Sequence, residues 1–290
     1  MPTPQELRTP TSTDDLAQAE EIYRRWGCFI ATDLIPAELL RQLQGEIQGL
    51  LRLALSRSAA AGRQDATPAP RFDEGYLRLC ADDPAWADAV FAACRRLPTS
   101  HQLSGHPALL RLSRRLMGSE TIMSNPYRPV RIDSPQRQEY LLPWHQDYPY
   151  TQDSPDALIY WIPLQDVDED NGCLMVAPGS QRLGVAPVRV ALDALGIRTP
   201  ALADPTLPDG FPHLSLPMRL GEVLVFSAVL LHRSQDNRSG QARWTLQIRH
   251  GNFAHPLALD KRWPRGHAER HWFDDTHPEL VVPPAADPRP

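Results

Sequence analysis

From Thr121 to Arg249 the chain breaks into short apolar runs separated by turn-forming clusters, and this punctuation limits the folds open to it. Thr121–Met123, Gln138–Leu142, Ala157–Leu164, Cys173–Val176, Leu214–Leu220, Glu222–Ser227 and Ala242–Arg249 each have the length of a strand, not of a helix. Clusters such as Asp168-Glu169-Asp170-Asn171-Gly172 supply turns between them. The first 118 residues read differently. Leu16, Ala19, Ile22, Tyr23 and Trp26 recur at helical spacing after Ser12-Thr13-Asp14-Asp15, a helix start, and before Gly27, a stop. Cys28-Phe29-Ile30 reads as a short strand. Pro36 opens a second helix with Leu39, Leu40, Leu43, Ile47, Leu50 and Leu51 on one face. Further helices are expected at 84–96 and 106–117.

Helices followed by at least seven strands predict a mainly β fold: an antiparallel double sheet buttressed by N-terminal α-helices, in one domain spanning 1–290. Its parts would be a helical support region at 12–118, a sheet core at 119–251 and a C-terminal extension at 252–290. Residues 59–71 and 179–212 read as irregular loops, and the last dozen residues as a loose tail.

Composition excludes several functions. The net charge of −5 argues against nucleic-acid binding through a basic face. The longest apolar run, Val223–Leu231, is too short to span a bilayer, and the N-terminus lacks the pattern of a signal peptide, so a cytoplasmic protein is expected. Of 30 basic residues only Lys261 is lysine, which leaves no P-loop and no supported Schiff-base lysine. Bound anions would be held by arginine, helix ends or metal. Cys28, Cys80, Cys94 and Cys173 form no Cys-x-x-Cys pair and are expected to be buried free thiols.

Candidate chemistry concentrates at Trp144-His145-Gln146-Asp147. Strand alternation would aim His145 and Asp147 at one point and turn Gln146 away. His232, at the end of the run Val223–Leu231, is the expected third ligand, at the rim of a sheet. Two imidazoles and one carboxylate on a face of an octahedron leave three positions open, as Fe(II) needs for a chelating co-substrate and O2. A hydrolytic zinc site would more often be tetrahedral with one open position. Asp236–Gly240 is turn-forming, so the chain is expected to reverse as a hairpin and set Arg243 beside the strand of His232. There a guanidinium could pair with a carboxylate a few atoms from the metal, as the C5 carboxylate of 2-oxoglutarate requires.

The Trp-His-Gln-Asp element, the segment from Asp168 to Ser180 and the stretch from His232 through Ser234 to Arg243 together resemble the phytanoyl-CoA dioxygenase family, over about residues 20–250. The resemblance implies a double-stranded β-helix (a cupin-like jelly roll) and the cofactors Fe(II), 2-oxoglutarate and O2. It implies that Ser234 and Trp161 contact 2-oxoglutarate. Some relatives use a lysine there, which this chain lacks; Gln138 or Arg128 would take that place. Asp147 stands where halogenating relatives have Gly or Ala, so hydroxylation of an unactivated C–H is expected, with release of succinate and CO2. The expected partner is a small-molecule metabolite, in a bacterial biosynthetic or secondary-metabolite pathway, with no nucleic acid or membrane partner; oligomeric state is open. Tyr148, Tyr150 and Arg131 are candidate pocket residues. Desaturation, cyclisation, epimerisation and a non-catalytic jelly-roll binding protein are the alternatives. His267-Ala-Glu-Arg-His271 lacks a Glu directly after its first His, so with His277 it reads as a solvated or substrate-adjacent segment.

Overall fold

A computed structural model describes residues 1–11, 16–58, 71–126, 130–135, 137, 141–192, 198–264, 266 and 272–283. Among these, the N-terminal third is helical. Helix α1 (Ala17–Trp26) stops at Gly27, whose φ of 75° is the left-handed conformation that glycine adopts without a Cβ clash. Helix α2 (Ala37–Arg57) buries Leu40, Leu43, Ile47, Leu51 and Ala54, the apolar stripe visible in the sequence. Helices α4 (Pro84–Cys94) and α6 (Pro107–Met117) lie at the two other expected positions. Two further helices, α3 (Tyr76–Asp82) and α5 (Pro98–Ser104), have seven residues each, too few to show a period. Proline occupies the first turn of α4, α5 and α6, where its missing N–H has no helical partner to lose.

The helices pack on one face of a larger sheet, ordered β1 (Arg8–Thr9), β2 (Cys28–Ala31), β10 (Val223–Ser227), β5 (Leu158–Pro163), β12 (Arg243–Asn252) and β3 (Ile122–Ser124), with β4 (Val130–Asp133) also paired to β12. A smaller sheet contains β11 (His232–Arg233), β6 (Leu174–Val176) and β9 (Leu214–Leu216). Alternation divides strands β2, β5 and β10 of the larger sheet between two cores, and β12 packs its apolar face on the helices. Leu158, Tyr160, Ile162, Val223, Val225, Trp244, Leu246 and Ile248 face the helices. Ile159, Trp161, Leu224 and Phe226 face Leu174, Val176, Leu214 and Leu216 of the smaller sheet. Strands β5 and β10 are therefore apolar on both sides, which is why they read as unbroken hydrophobic runs.

Several sequence expectations need correction. The run Val223–Leu231 is not one strand ending at His232. β10 stops at Ser227, where Leu230 N–H bonds the Ser227 carbonyl at 2.9 Å, and the chain crosses through Ala228–Leu231 into the other sheet. β4 was not anticipated; the strand expected at Gln138–Leu142 is partly outside the described residues, and Leu141 and Leu142 are not in a strand. The 179–212 segment contains an antiparallel pair of strands, β7 (Val188–Leu192) and β8 (Arg198–Leu202). His277 is fully buried and not solvated; its Nε2 lies 3.1 Å from the Tyr148 hydroxyl. The helix start at 12–15, residues 59–70, His267 and His271 lie outside the described residues. The four cysteines are free and buried. Among the described residues no helix is long and apolar enough to cross a membrane.

Candidate metal centre and co-substrate pocket

His145 and His232 meet across the seam where the chain bridges toward the smaller sheet. His145 N–H donates to the His232 carbonyl at 3.0 Å, and His232 N–H returns the bond at 3.1 Å. Both imidazoles use the same local device. Nδ1 of His145 lies 2.7 Å from the Pro143 carbonyl, and Nδ1 of His232 lies 3.0 Å from the Leu230 carbonyl. A carbonyl can only accept, so each Nδ1 carries the proton and each Nε2 presents a lone pair.

Asp147 arrives by another route than strand alternation. It caps helix α7 (Tyr148–Thr151) with φ −74° and ψ −30°, a helical conformation. The following Tyr148 N–H is fixed to the Ala228 carbonyl at 3.0 Å. Asp147 Oδ1 then lies 3.5 Å from His145 Nε2 and 3.6 Å from His232 Nε2. All three residues are buried, and their donor atoms lie within 4.8 Å of one another. Donors about 2.1 Å from one ion sit roughly 3 Å or a little more apart, so the set is close to ligand spacing.

Electrostatics favour the ligating protonation states. Burial opposes the charge of Asp147, but the Arg249 guanidinium and the two imidazoles outweigh it and hold the carboxyl well below the usual range. Burial, with His145 beside it, pushes His232 down to about 3, so its ring is neutral. Phe226 and Tyr150 flank the imidazoles, with ring centroids 4.7 Å from His232 and 5.5 Å from His145.

One face of β12 carries the rest of the site. Trp244, Leu246 and Ile248 point to the helices, so Arg243, Thr245, Gln247 and Arg249 form a row on the opposite, inter-sheet face. At one end Arg249 Nε donates to Asp147 Oδ2 at 2.9 Å, and its Nη2 donates to Gln247 Oε1 at 2.8 Å. At the other end Arg243 is 1% exposed and donates through Nη2 to Asp133, its register partner on β4. Asp133 also accepts from Arg131 Nε at 3.0 and 3.1 Å. The Arg243 guanidinium carbon lies 5.7 Å from the Trp161 ring. Its Nε and Nη1 are buried with no hydrogen-bond partner among the described residues. Buried cationic N–H groups without a partner among the described residues fit the carboxylate of a bound acid.

Arg243 does not reach this position by lying beside the strand of His232. β11 and β12 belong to different sheets, and Arg243 faces the metal-ligand side from across the inter-sheet space. The turn before it is held by Asn237, whose amide donates to the Asp133 and Gln241 carbonyls at 2.9 and 2.7 Å. Ser234 is half-buried two residues after His232, with its N–H on the Leu142 carbonyl at 3.1 Å. Gln138 and Arg128 lie outside the described residues. Tyr148 turns from the site toward Phe273 and His277, whereas Tyr150 stays beside His145. Gln146 points away, donating to the Gly184 and Val229 carbonyls and accepting from Ala186 N–H. Sequence reasoning missed Asp133 and Arg249. The signal for Arg249 was present: Arg-Trp-Thr-Leu-Gln-Ile-Arg, polar at every second position.

Comparison with known proteins gives the family and the fold. The family model for phytanoyl-CoA dioxygenase (PhyH) matches residues 23–245. The chain is 28% identical over 176 residues to L-proline trans-4-hydroxylase of Streptomyces griseoviridis, an alignment covering 52% of this chain and 63% of that protein. It thus spans less than two thirds of the length of the curated relatives it matches. The epimerase SnoN, solved in complex with Fe3+, alpha ketoglutarate and nogalamycin RO, superposes with a TM-score of 0.54 at 19% identity, over 82% of this chain and 83% of that one. EctD from S. alaskensis with bound Fe does so with a TM-score of 0.54 at 17% identity, over 88% and 84%.

Proposed function

The chain belongs to the phytanoyl-CoA dioxygenase family of Fe(II)- and 2-oxoglutarate-dependent oxygenases, and on that premise we propose that it hydroxylates an unactivated C–H of a small-molecule metabolite, in a bacterial biosynthetic pathway. Its sheets then form the double-stranded β-helix of one catalytic domain. His145, Asp147 and His232 hold Fe(II), and Arg243 binds the C5 carboxylate of 2-oxoglutarate beside Trp161, with Ser234 near it. The observation that carries the reading is the pairing of a buried His-Asp-His set with a buried arginine whose Nε and Nη1 have no hydrogen-bond partner among the described residues.

The residues divide the work. The two Nδ1–H···O=C bonds orient both imidazoles before any ion arrives, so little ordering entropy is lost on binding. With a single carboxylate, the triad leaves a divalent ion one positive charge, which the near carboxylate of a 2-oxo acid neutralises. Bound Fe(II), with 2-oxoglutarate and O2, supplies the oxidation of the C–H bond, and succinate and CO2 are the by-products. Phe226, Tyr150 and the inter-sheet core limit water around the ligands. The proline hydroxylase relative supports a small polar substrate.

The test is anaerobic reconstitution with Fe(II) and 2-oxoglutarate, followed by O2 and a panel of small metabolites. Iron-dependent succinate formation and a product 16 mass units heavier are expected. A product lighter by 2, or of unchanged mass, would replace hydroxylation by desaturation, cyclisation or epimerisation. Failure to bind iron, or wild-type behaviour of His232→Ala, would overturn the assignment of the triad.

A further inference from the structure

Helix α7 is a single turn, yet it carries Asp147 at its start and sets Tyr150 beside His145. A turn this short does not hold itself, because no run of further hydrogen bonds repays its nucleation. Gln152, which ends it, has a φ of 55°, a left-handed conformation that residues with a side chain disfavour. Arg249 orients the Asp147 carboxylate from β12, but the backbone from which that carboxylate projects depends on what fixes α7. On the core side this is the Tyr148 N–H, bonded to the Ala228 carbonyl.

On the other side it is the C-terminal extension, which lies beyond the residues that the family model matches. Phe273 and His277 pack on Tyr148 with ring centroids 6.2 and 5.6 Å away, and all three rings are buried. Glu279 Oε1 lies 3.3 Å from His277 Nδ1 and is also bonded by Lys261 Nζ at 3.0 Å. A carboxylate accepts, so Nδ1 carries the proton, and Nε2, 3.1 Å from the Tyr148 hydroxyl, accepts from it. The Thr276 hydroxyl pairs with the side-chain amide of Gln152, at the strained end of the turn. Gly266 crosses the same end with a φ of 61°; a Cβ there would lie 2.4 Å from the Thr151 carbonyl oxygen and 2.6 Å from that of Tyr150. Past His277 the segment is anchored on β7, where Val282 N–H donates to the Val188 carbonyl at 2.8 Å.

We infer that residues 272–283 clamp the metal site, with His277 a positioning residue that acts through the Tyr148 hydroxyl to set the backbone of α7 and so the place where Asp147 meets a divalent ion. This rests on the proposed metal centre and adds to it a part outside the two main sheets. Packing alone would be served by an apolar ring; a buried nitrogen that accepts from the residue next to a ligand also fixes an angle. Coupling between two sites is reciprocal, so an ion that gains from the clamp steadies the clamp in return.

Two measurements on the full chain test this. The first is Mn(II) titration, followed by electron paramagnetic resonance, of three variants. His277→Leu removes the acceptor and should weaken Mn(II) about tenfold, the low end for groups that orient a metal ligand. His277→Gln can offer an amide oxygen to Tyr148 and should restore most of that affinity. Leu112→Ala opens a cavity in the helix-facing core and should lower the melting temperature with Mn(II) affinity unchanged. Affinity of His277→Leu within about twofold of wild type would overturn the inference, since that is less than the effect of one ordinary hydrogen bond. Equal losses in all three variants would also overturn it, because they would track stability and not position. The second measurement needs no variant: hydrogen exchange of the wild type with and without Mn(II). Amides of residues 272–283 should slow several-fold on Mn(II) binding while those of α6 change little, and equal slowing of both would refute the clamp. Failure of the wild type to bind Mn(II) would bring down the proposed metal centre, and this inference with it.

Discussion

Arg249 Nε donates to Oδ2 of Asp147 at 2.9 Å, while Oδ1 of the same carboxylate faces both imidazoles. The arginine thus fixes which oxygen is offered to a metal and compensates the charge of a carboxylate that is only 5% exposed. Because Arg249 is itself held by Gln247, the carboxylate is oriented from the rigid strand β12 and not from the short helix that bears it.

Arg249→Gln should therefore weaken metal binding without removing a ligand. A loss of about tenfold to a hundredfold in Mn(II) affinity is expected, the usual scale for groups that orient a metal ligand. Titration followed by electron paramagnetic resonance measures it, and an unchanged affinity would show that Asp147 needs no such support.

Arg243→Gln should act on the other end of the site. It removes the guanidinium charge and leaves buried Asp133 with Arg131 as its remaining cation among the described residues. We expect 2-oxoglutarate affinity to fall at least about a hundredfold, as for loss of a bidentate ion pair, with Mn(II) affinity retained. Parallel loss of both would argue that the arginine holds the fold and not the ligand.

Stability should fall with acid, partly through His250. This ring is fully buried; Nε2–H donates to the Ser104 carbonyl at 2.9 Å, and Nδ1 lies 2.8 Å from Ser113 Oγ. Burial pushes its pKa down from 6.5 to about 4. The unfolded chain then binds the proton more readily than the folded one between these values. The contribution is complete above pH 6.5 and lost as the pH drops toward 4, by about 3 kcal/mol at most. His250→Gln keeps a donor for Ser104 and cannot titrate. Urea unfolding at a series of pH values should show a shallower acid limb for the variant; coincident limbs would exclude His250 as a source.

Gln146 separates the two candidate ligands in sequence and ties three backbone groups of other segments: the Gly184 carbonyl, the Val229 carbonyl and Ala186 N–H. Gln146→Leu removes the partner of all three and strands the Val229 carbonyl and Ala186 N–H in a buried place, whereas exposed Gly184 can turn to water. A loss of roughly 2–5 kcal/mol is expected, given about 1–3 kcal/mol for each stranded group and partial relaxation. A melting temperature within a degree or two of wild type would mean that water replaces the amide at no cost.

The division between what was legible and what was not follows the range of the forces involved. Helices α1, α2, α4 and α6 and strands β2, β5, β6, β9, β10 and β12 could be read because periodicity, proline at the first turn and glycine at the stop are local signals. The ligand candidates were legible as residue types in a short motif, and the polar alternation from Arg243 to Arg249 was visible though only its first member was used. Neither α3 nor α5 is long enough to display a period, and β4 has only four residues.

The sequence by itself determined the longer elements and the chemical inventory: two imidazoles, one carboxylate and a strand with arginine at either end. Only the tertiary structure decided that His232 opens a strand of the smaller sheet, that Asp147 reaches the imidazoles from a helical turn, and that Asp133 and Arg249 hold the two ends of the site. Those choices depend on which strands pair and in what register. Pairing energy is summed over residues more than a hundred positions apart, as between Arg243 and Asp133, and no local pattern carries that sum.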